Sequence, residues 1–168
     1  MGRRDRGTGT ASAGDYARTA RKHQGGVWQA VKRYLLDTNH FSAFWRGDAR
    51  LLERLQQLED AELGLSTPGL GEQWYMVFNS AQLARNYARM ELIVQQFVIW
   101  PFDDHAAQEY GRIRAELRRR GRPIPVVDMQ IAAIARANQL TVLTSDTHFS
   151  LVDGVEVEDW LTPSSTQI

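Results

Sequence analysis

Cysteine is missing from all 168 residues. That absence removes disulfide scaffolds, thiolate zinc sites, iron–sulfur clusters and cysteine nucleophiles together. A reducing, cytoplasmic setting is the simplest one for such a chain. No run reaches the roughly 18 uninterrupted apolar residues of a membrane-spanning helix. The first residues lack the continuous apolar stretch of a secretory signal. Lysine does not occur beyond Lys32, and no internal repeat is found. What remains is an ordinary globular mixture, 43% hydrophobic and 24% charged, which excludes general disorder. The length suits one domain with a real core.

The formal net charge of zero conceals two unlike parts. Residues 1–33 hold eight Lys or Arg against two Asp, a net +6. Residues 34–168 hold twelve Arg against eighteen Asp or Glu, a net −6. The Gly-, Arg-, Ser- and Thr-rich start has no apolar period and cannot offset its own ordering entropy. Residues 1–30 therefore read as a disordered basic extension, with an RNA-binding arm as the functional alternative. We expect the native chain to start at Val31 from an alternative initiation codon; a native N-terminus at Met1, seen by mass spectrometry, would end that idea. Residues 31–161 form the folded domain and 162–168 a tail.

From Tyr34 onward, strand and helix patterns alternate. Tyr34-Leu35-Leu36 is a short apolar strand closed by the turn formers Asp37-Thr38-Asn39. Helices are predicted over 51–60, 69–79, 81–96, 104–120 and 128–138, and further strands over 62–66, 98–100, 141–144 and 155–157. Strands separated by helices imply βαβ units, a central parallel sheet and helices on both faces, a three-layer α/β/α domain.

Ligands of such sheets bind beyond the carboxyl ends of the strands. Asp37 follows the first strand and Asp146 follows strand 141–144. Each alone is an ordinary turn or capping residue. Asp128 and Glu72 say more, because both sit among apolar neighbours. Asp128 shares a helix face with Ile131, Ala132 and Ala135, although an N-cap would explain it equally well. Glu72 has Tyr75 and Met76 at the same offsets, in a helix apolar almost all round. Buried there, it would need a partner. Should the four converge, each pair repels by about 4 kcal/mol at 4 Å and an effective dielectric of about 20. Either some are protonated or a cation sits among them. An all-oxygen donor set suits Mg²⁺ or Mn²⁺ rather than Zn²⁺, and such an ion favours phosphodiester hydrolysis.

Four segments carry a family likeness: Tyr34-Leu35-Leu36-Asp37-Thr38-Asn39, Gly71-Glu72-Gln73-Trp74-Tyr75, Ile124-Pro125-Val126-Val127-Asp128-Met129-Gln130-Ile131-Ala132-Ala133 and Leu143-Thr144-Ser145-Asp146-Thr147-His148-Phe149. Together with Val155-Glu156-Val157-Glu158-Asp159-Trp160, the chain over residues 31–161 resembles PIN-domain proteins, and within them the VapC-type toxins of bacterial toxin–antitoxin pairs. Gln73 departs from the pattern, where the family usually has Leu. The resemblance implies a Mg²⁺-dependent endoribonuclease cutting structured RNA, often tRNA, with a cognate antitoxin and a homodimeric state. It implies metal ligation by Asp37 and Asp128, with Glu72 and Asp146 binding the ion directly or through water. It implies orienting roles for Thr38, Asn39 and Thr144.

Positive charge on the acidic body concentrates between Arg112 and Arg122. Arg112, Arg118, Arg119 and Arg120 are the candidate RNA contacts, since polyanion binding needs local positive charge; a solvated helix face is the plain alternative. His40, His105 and His148 lack a helical His partner and are expected in surface or capping roles. Trp74, Trp100 and Trp160 read as core or interface packing. Exposed apolar surface is expected on helices 51–58 and 81–96. Two other readings stay open: a non-catalytic RNA- or partner-binding module, and a phosphoacceptor or phosphatase domain. The second wants a Lys beside the phosphate, which the body lacks.

Overall fold

A computed structural model describes residues 31–58 and 61–162. The basic extension assigned to residues 1–30 and nearly all of the 162–168 tail lie outside the described residues. β1 (Lys32–Leu36) runs through the middle of the sheet. Leu35 packs into one hydrophobic cluster, whereas Tyr34 and Leu36 pack into the other. A strand apolar on both sides is what an interior parallel position requires. β2 (Ala61–Ser66), β3 (Val98–Trp100), β4 (Thr141–Leu143) and β5 (Glu156–Glu158) complete the order β3-β2-β1-β4-β5, every pair parallel. Leu36 lies level with Leu65 of β2 and Leu143 of β4, so three central strands end together.

One helix was not expected. α1 (Thr38–Arg46) begins where a turn was read, and it buries His40, Phe41, Ala43 and Phe44. Asp37, in extended backbone, is its N-cap residue, and Gly47 at φ 74 ends it in the left-handed region. Polar turn formers and helix caps are the same residue types, which is why the two readings are alike in sequence. α2 (Ala49–Gln56) follows, capped by Asp48, whose carboxylate accepts from the Arg50 and Leu51 N–H groups.

α3 (Thr67–Phe78) has Pro68 in its first turn, and the Ser66 hydroxyl accepts from Gly69 N–H at 3.0 Å. α4 (Leu83–Val94) and α5 (Asp104–Arg119) match their predicted cores. α6 (Val126–Asn138) starts two residues ahead of the predicted 128. A 3₁₀ turn, Thr147–Leu151, joins β4 to β5.

The two core layers sit on opposite faces of the sheet. Phe41, Phe44, Leu51, Leu63 and Met90 lie in one, and Ile113, Ile131, Ile134, Val142 and Phe149 in the other. Each such side chain contributes about 1.5–3 kcal/mol through burial. Trp160 belongs to the first cluster, Trp74 is partly buried against that cluster, and Trp100 is partly buried against the second. The exposed apolar surface expected on helix 81–96 is present, that expected on helix 51–58 is not, and α3 supplies the remainder. α2 turns Leu51 and Leu55 inward, whereas Tyr75, Met76 and Phe78 of α3 and Leu83, Tyr87 and Leu92 of α4 face solvent. No described helix is long and apolar enough to cross a membrane.

Candidate active site

The strand order reverses beside β1: the chain moves outward to β2 and β3 on one side and returns to β4 on the other. A crevice at such a switch point is where open parallel sheets hold ligands. Asp37 leaves the end of β1, and the segment Thr144–Asp146 leaves the end of β4. Asp37 N–H donates to the Leu143 carbonyl at 3.0 Å, binding the two strand ends together.

Asp37 is buried, 5% exposed, and one carboxylate oxygen, Oδ2, accepts from Thr144 Oγ1 at 2.9 Å. The same Thr144 hydroxyl accepts from Asp146 N–H at 2.9 Å, so one side chain spans both acidic loops. Burial pushes the Asp37 carboxyl above the usual carboxylate range. The Thr38 N–H and Thr144 hydroxyl oppose this, and the charges of Asp128 and Asp146 reinforce it. Asp128 lies in the first turn of α6, whose N-cap residue is Pro125, so Asp128 is not the cap that would have explained it. Its carboxyl is also raised, by burial first, with Asp146 and Glu72 adding repulsion and the His148 ring opposing. Asp146 does cap a turn, accepting from His148 N–H at 2.8 Å, while its charge reaches both Asp37 and Asp128.

Glu72 is placed differently from the expectation of a buried face. It is exposed, and its Oε2 accepts from Thr38 Oγ1 at 2.8 Å. Gln73 takes the inward position instead, 8% exposed, with a buried amide nitrogen that has no hydrogen-bond partner. In a helix apolar nearly all round, no stripe in the sequence distinguishes one rotation from the next. Asn39 is exposed on the first turn of α1.

Two histidines depart from the surface or capping roles expected of them. His40 is fully buried; its Nε2 accepts from Trp160 N–H at 3.1 Å and its Nδ1 has no partner. Burial lowers its pKa to about 4, although Asp159 and Asp48 pull the other way. His148 belongs to the acidic site: Nδ1 lies 2.9 Å from Asp128 Oδ2 and 3.2 Å from Asp146 Oδ1. The signal was the spacing Asp146-Thr147-His148, legible only once β4 is known to end beside α6. His105 is exposed, as expected.

Asp128, Asp146 and His148 each offer a ligand atom, all within 4.8 Å of one another. Two carboxyls held in discomfort by burial and mutual repulsion, beside this cluster, fit a divalent cation. Of the candidate RNA contacts, Arg112 is ion-paired with Glu109 and Arg120 with Asp153. Arg118 and Arg119 are exposed and form no ion pair with a described residue.

An open parallel sheet with acidic groups gathered at its switch point defines a class of α/β protein suited to a cation and a phosphate-bearing ligand. Within that class the sequence profile of the PIN domain matches residues 34–155, and the chain belongs to the PIN domain family. It is 33% identical over 129 residues to a tRNA(fMet)-specific endonuclease VapC from Shigella flexneri, covering 76% of this chain and 98% of that protein. A DNA-bound VapBC from Salmonella typhimurium matches with a TM-score of 0.71 at 31% identity, covering 78% of this chain and 99% of that one. A member of the VapBC family of toxin-antitoxin systems from Mycobacterium tuberculosis matches with a TM-score of 0.58 at 30% identity, covering 76% and 96%.

Proposed function

We propose that this protein is a metal-dependent endoribonuclease, the toxin of a type II toxin–antitoxin pair, that hydrolyses phosphodiester bonds of structured RNA such as tRNA with Mg²⁺ as its ion. The observation that carries the reading is the meeting of Asp37, Glu72, Asp128 and Asp146 at one switch point, linked by mutual charge. Ribonuclease activity in the curated relatives supports it. On this reading Asp37 and Asp128 hold the ion, and Glu72 and Asp146 reach it directly or through water. When bound, the ion supplies charge compensation and polarises a phosphoryl oxygen.

The chain's own groups do the rest. Thr144 keeps Asp37 aimed, and Thr38 keeps Glu72 aimed. Glu72 uses only Oε2 in that bond. Exposed, with Oε1 available, it is the group placed to take a proton from an attacking water. Asn39, exposed beside Thr38, completes the orienting set toward substrate. Arg118 and Arg119 supply phosphate contacts, while Arg112 and Arg120, already paired, add less net charge. The exposed apolar face of α3 and α4 exceeds scattered surface residues and suits a homodimer; a cognate antitoxin is the second protein partner.

The phosphoacceptor alternative finds no support. Lys32 is the only Lys among the described residues, and its ammonium lies against Glu158 rather than the four carboxylates. The test is direct. Purified protein should cut total tRNA with Mg²⁺ and stop in EDTA, and Asp37→Ala should lower the rate by at least about 100-fold. Cleavage that continues in EDTA, or that survives Asp37→Ala, defeats metal-assisted hydrolysis.

A further inference from the structure

We infer that His148 is an additional ligand of the ion at this site and that its imidazole turns the preference from Mg²⁺ toward Mn²⁺. The inference rests on the metal-dependent reading above and deepens it. The resemblance that assigned the four carboxylates carried no role to His148.

Placement comes from the local fold. β4 ends at Leu143, and Asp146 caps the following 3₁₀ turn by accepting from His148 N–H at 2.8 Å. Phe149, fully buried, pins the next residue into the core. The backbone of His148 is thus held on both sides, and its ring reaches across to α6. Nδ1 is the atom that faces both carboxylates, at 2.9 Å from Asp128 Oδ2 and 3.2 Å from Asp146 Oδ1.

Those separations suit ligation as well as hydrogen bonding. Two ligands about 2.1 Å from one ion and at right angles are about 3.0 Å apart. Nδ1 therefore stands to each carboxylate oxygen as one octahedral ligand stands to its neighbour. Ligation requires the Nδ1 lone pair, which places the ring proton on Nε2. The ring is 40% exposed, so that proton is not buried without an outlet to water.

Ion preference follows from donor chemistry. Mg²⁺ is hard, holds oxygen ligands and keeps its waters, and it gains little from an imidazole nitrogen. Mn²⁺ shares the preference for carboxylate oxygen and, as a first-row transition ion, gains more from a nitrogen donor than Mg²⁺ does. Replacing one oxygen position by nitrogen at a site otherwise made of Asp and Glu thus favours Mn²⁺ selectively. Arg and Lys side chains do not compete for the position among the described residues: the only ring or cationic nitrogen paired with Asp128 or Asp146 is His148 Nδ1.

The test uses the full chain without RNA. Isothermal titration with MnCl₂ and, separately, MgCl₂ measures affinity, and pulsed electron paramagnetic resonance of the Mn²⁺-loaded protein reports directly bound nitrogen. Wild type should show ¹⁴N modulation. His148→Ala should lose it, with a fall in Mn²⁺ affinity of about 10–100-fold and a change for Mg²⁺ of less than about threefold. His148→Gln, which keeps a hydrogen-bonding side chain, should behave like His148→Ala, separating ligation from hydrogen bonding. Mn²⁺ uptake by wild type without ¹⁴N modulation, equal losses for both ions, or wild-type Mn²⁺ affinity in His148→Gln would overturn the inference while leaving the metal-dependent reading intact. Failure of wild type to bind either ion would overturn both. The spectrum of wild type decides the matter even if a variant fails to fold.

Discussion

The Thr144 hydroxyl donates to Asp37 and accepts from Asp146 N–H, so a single oxygen holds together acidic groups from two strand ends. Buried polar groups are costly unless paired, and here the pairing itself aims the carboxylates. His40 shows the opposite economy, a buried ring with one nitrogen satisfied and the other not. Its consequence is a pH dependence of stability. The folded-state pKa is about 4 against 6.5 when unfolded, so the unfolded chain takes up the proton first as pH falls. Stability from this residue is fully present above about pH 6.5 and is lost progressively as pH drops toward 4, to a limit of about 3 kcal/mol. Asp37 and Asp128, raised by burial, act in the opposite sense, so the comparison must isolate His40. Urea unfolding of wild type and His40→Gln at pH 7 and pH 4.5 does so: the wild type should lose about 2–3 kcal/mol more than the variant. Equal losses would show that His40 is not the group responsible.

At the scale of elements, the contact between α5 and α6 carries the most polar investment. Glu109 is buried at 8% exposure, and burial pushes its carboxyl up. The Arg136 and Arg112 guanidinium groups outweigh that and hold it below the usual range. Arg136 donates to Glu109 Oε2 at 2.6 Å, to Glu116 at 3.1 Å and to the Asp153 carbonyl at 3.2 Å, locking α6 to α5 and to the loop before β5. Arg136→Ala leaves the Glu109 carboxylate to Arg112 alone and should cost about 1.5–3 kcal/mol, whereas adding Glu109→Gln should recover part of it. Chemical denaturation of the single and double variants checks both; no recovery in the double variant would show that packing, not charge, sets the loss. The network was invisible in sequence because Glu109 and Arg136 lie 27 positions apart. The strands were legible, as β1 shows with apolar side chains on both faces. α1 was not, because Asp37-Thr38-Asn39 writes a turn and a helix start in the same letters.

For the whole molecule, the proposed function requires an acidic body to receive a polyanion. Among the described residues Arg118 and Arg119 remain exposed and unpaired near the carboxyl end of α5. RNA affinity of the full chain should fall with salt, and Arg118→Ala with Arg119→Ala should flatten the log–log slope by about 0.7–0.9 for each phosphate contact removed. Binding curves at several KCl concentrations give the slope; an unchanged one would place the RNA elsewhere. Composition and the alternation of strand and helix were enough for the sheet and its layers, because these depend on local periodicity, and the ordered acidic motifs were enough to nominate the four carboxylates. Tertiary structure alone turned Gln73 inward and Glu72 outward, sealed His40 in the core, paired Arg120 with Asp153, and brought His148 to Asp128. Those outcomes depend on helix rotation and on contacts between distant segments, and single-chain periodicity carries no information about either.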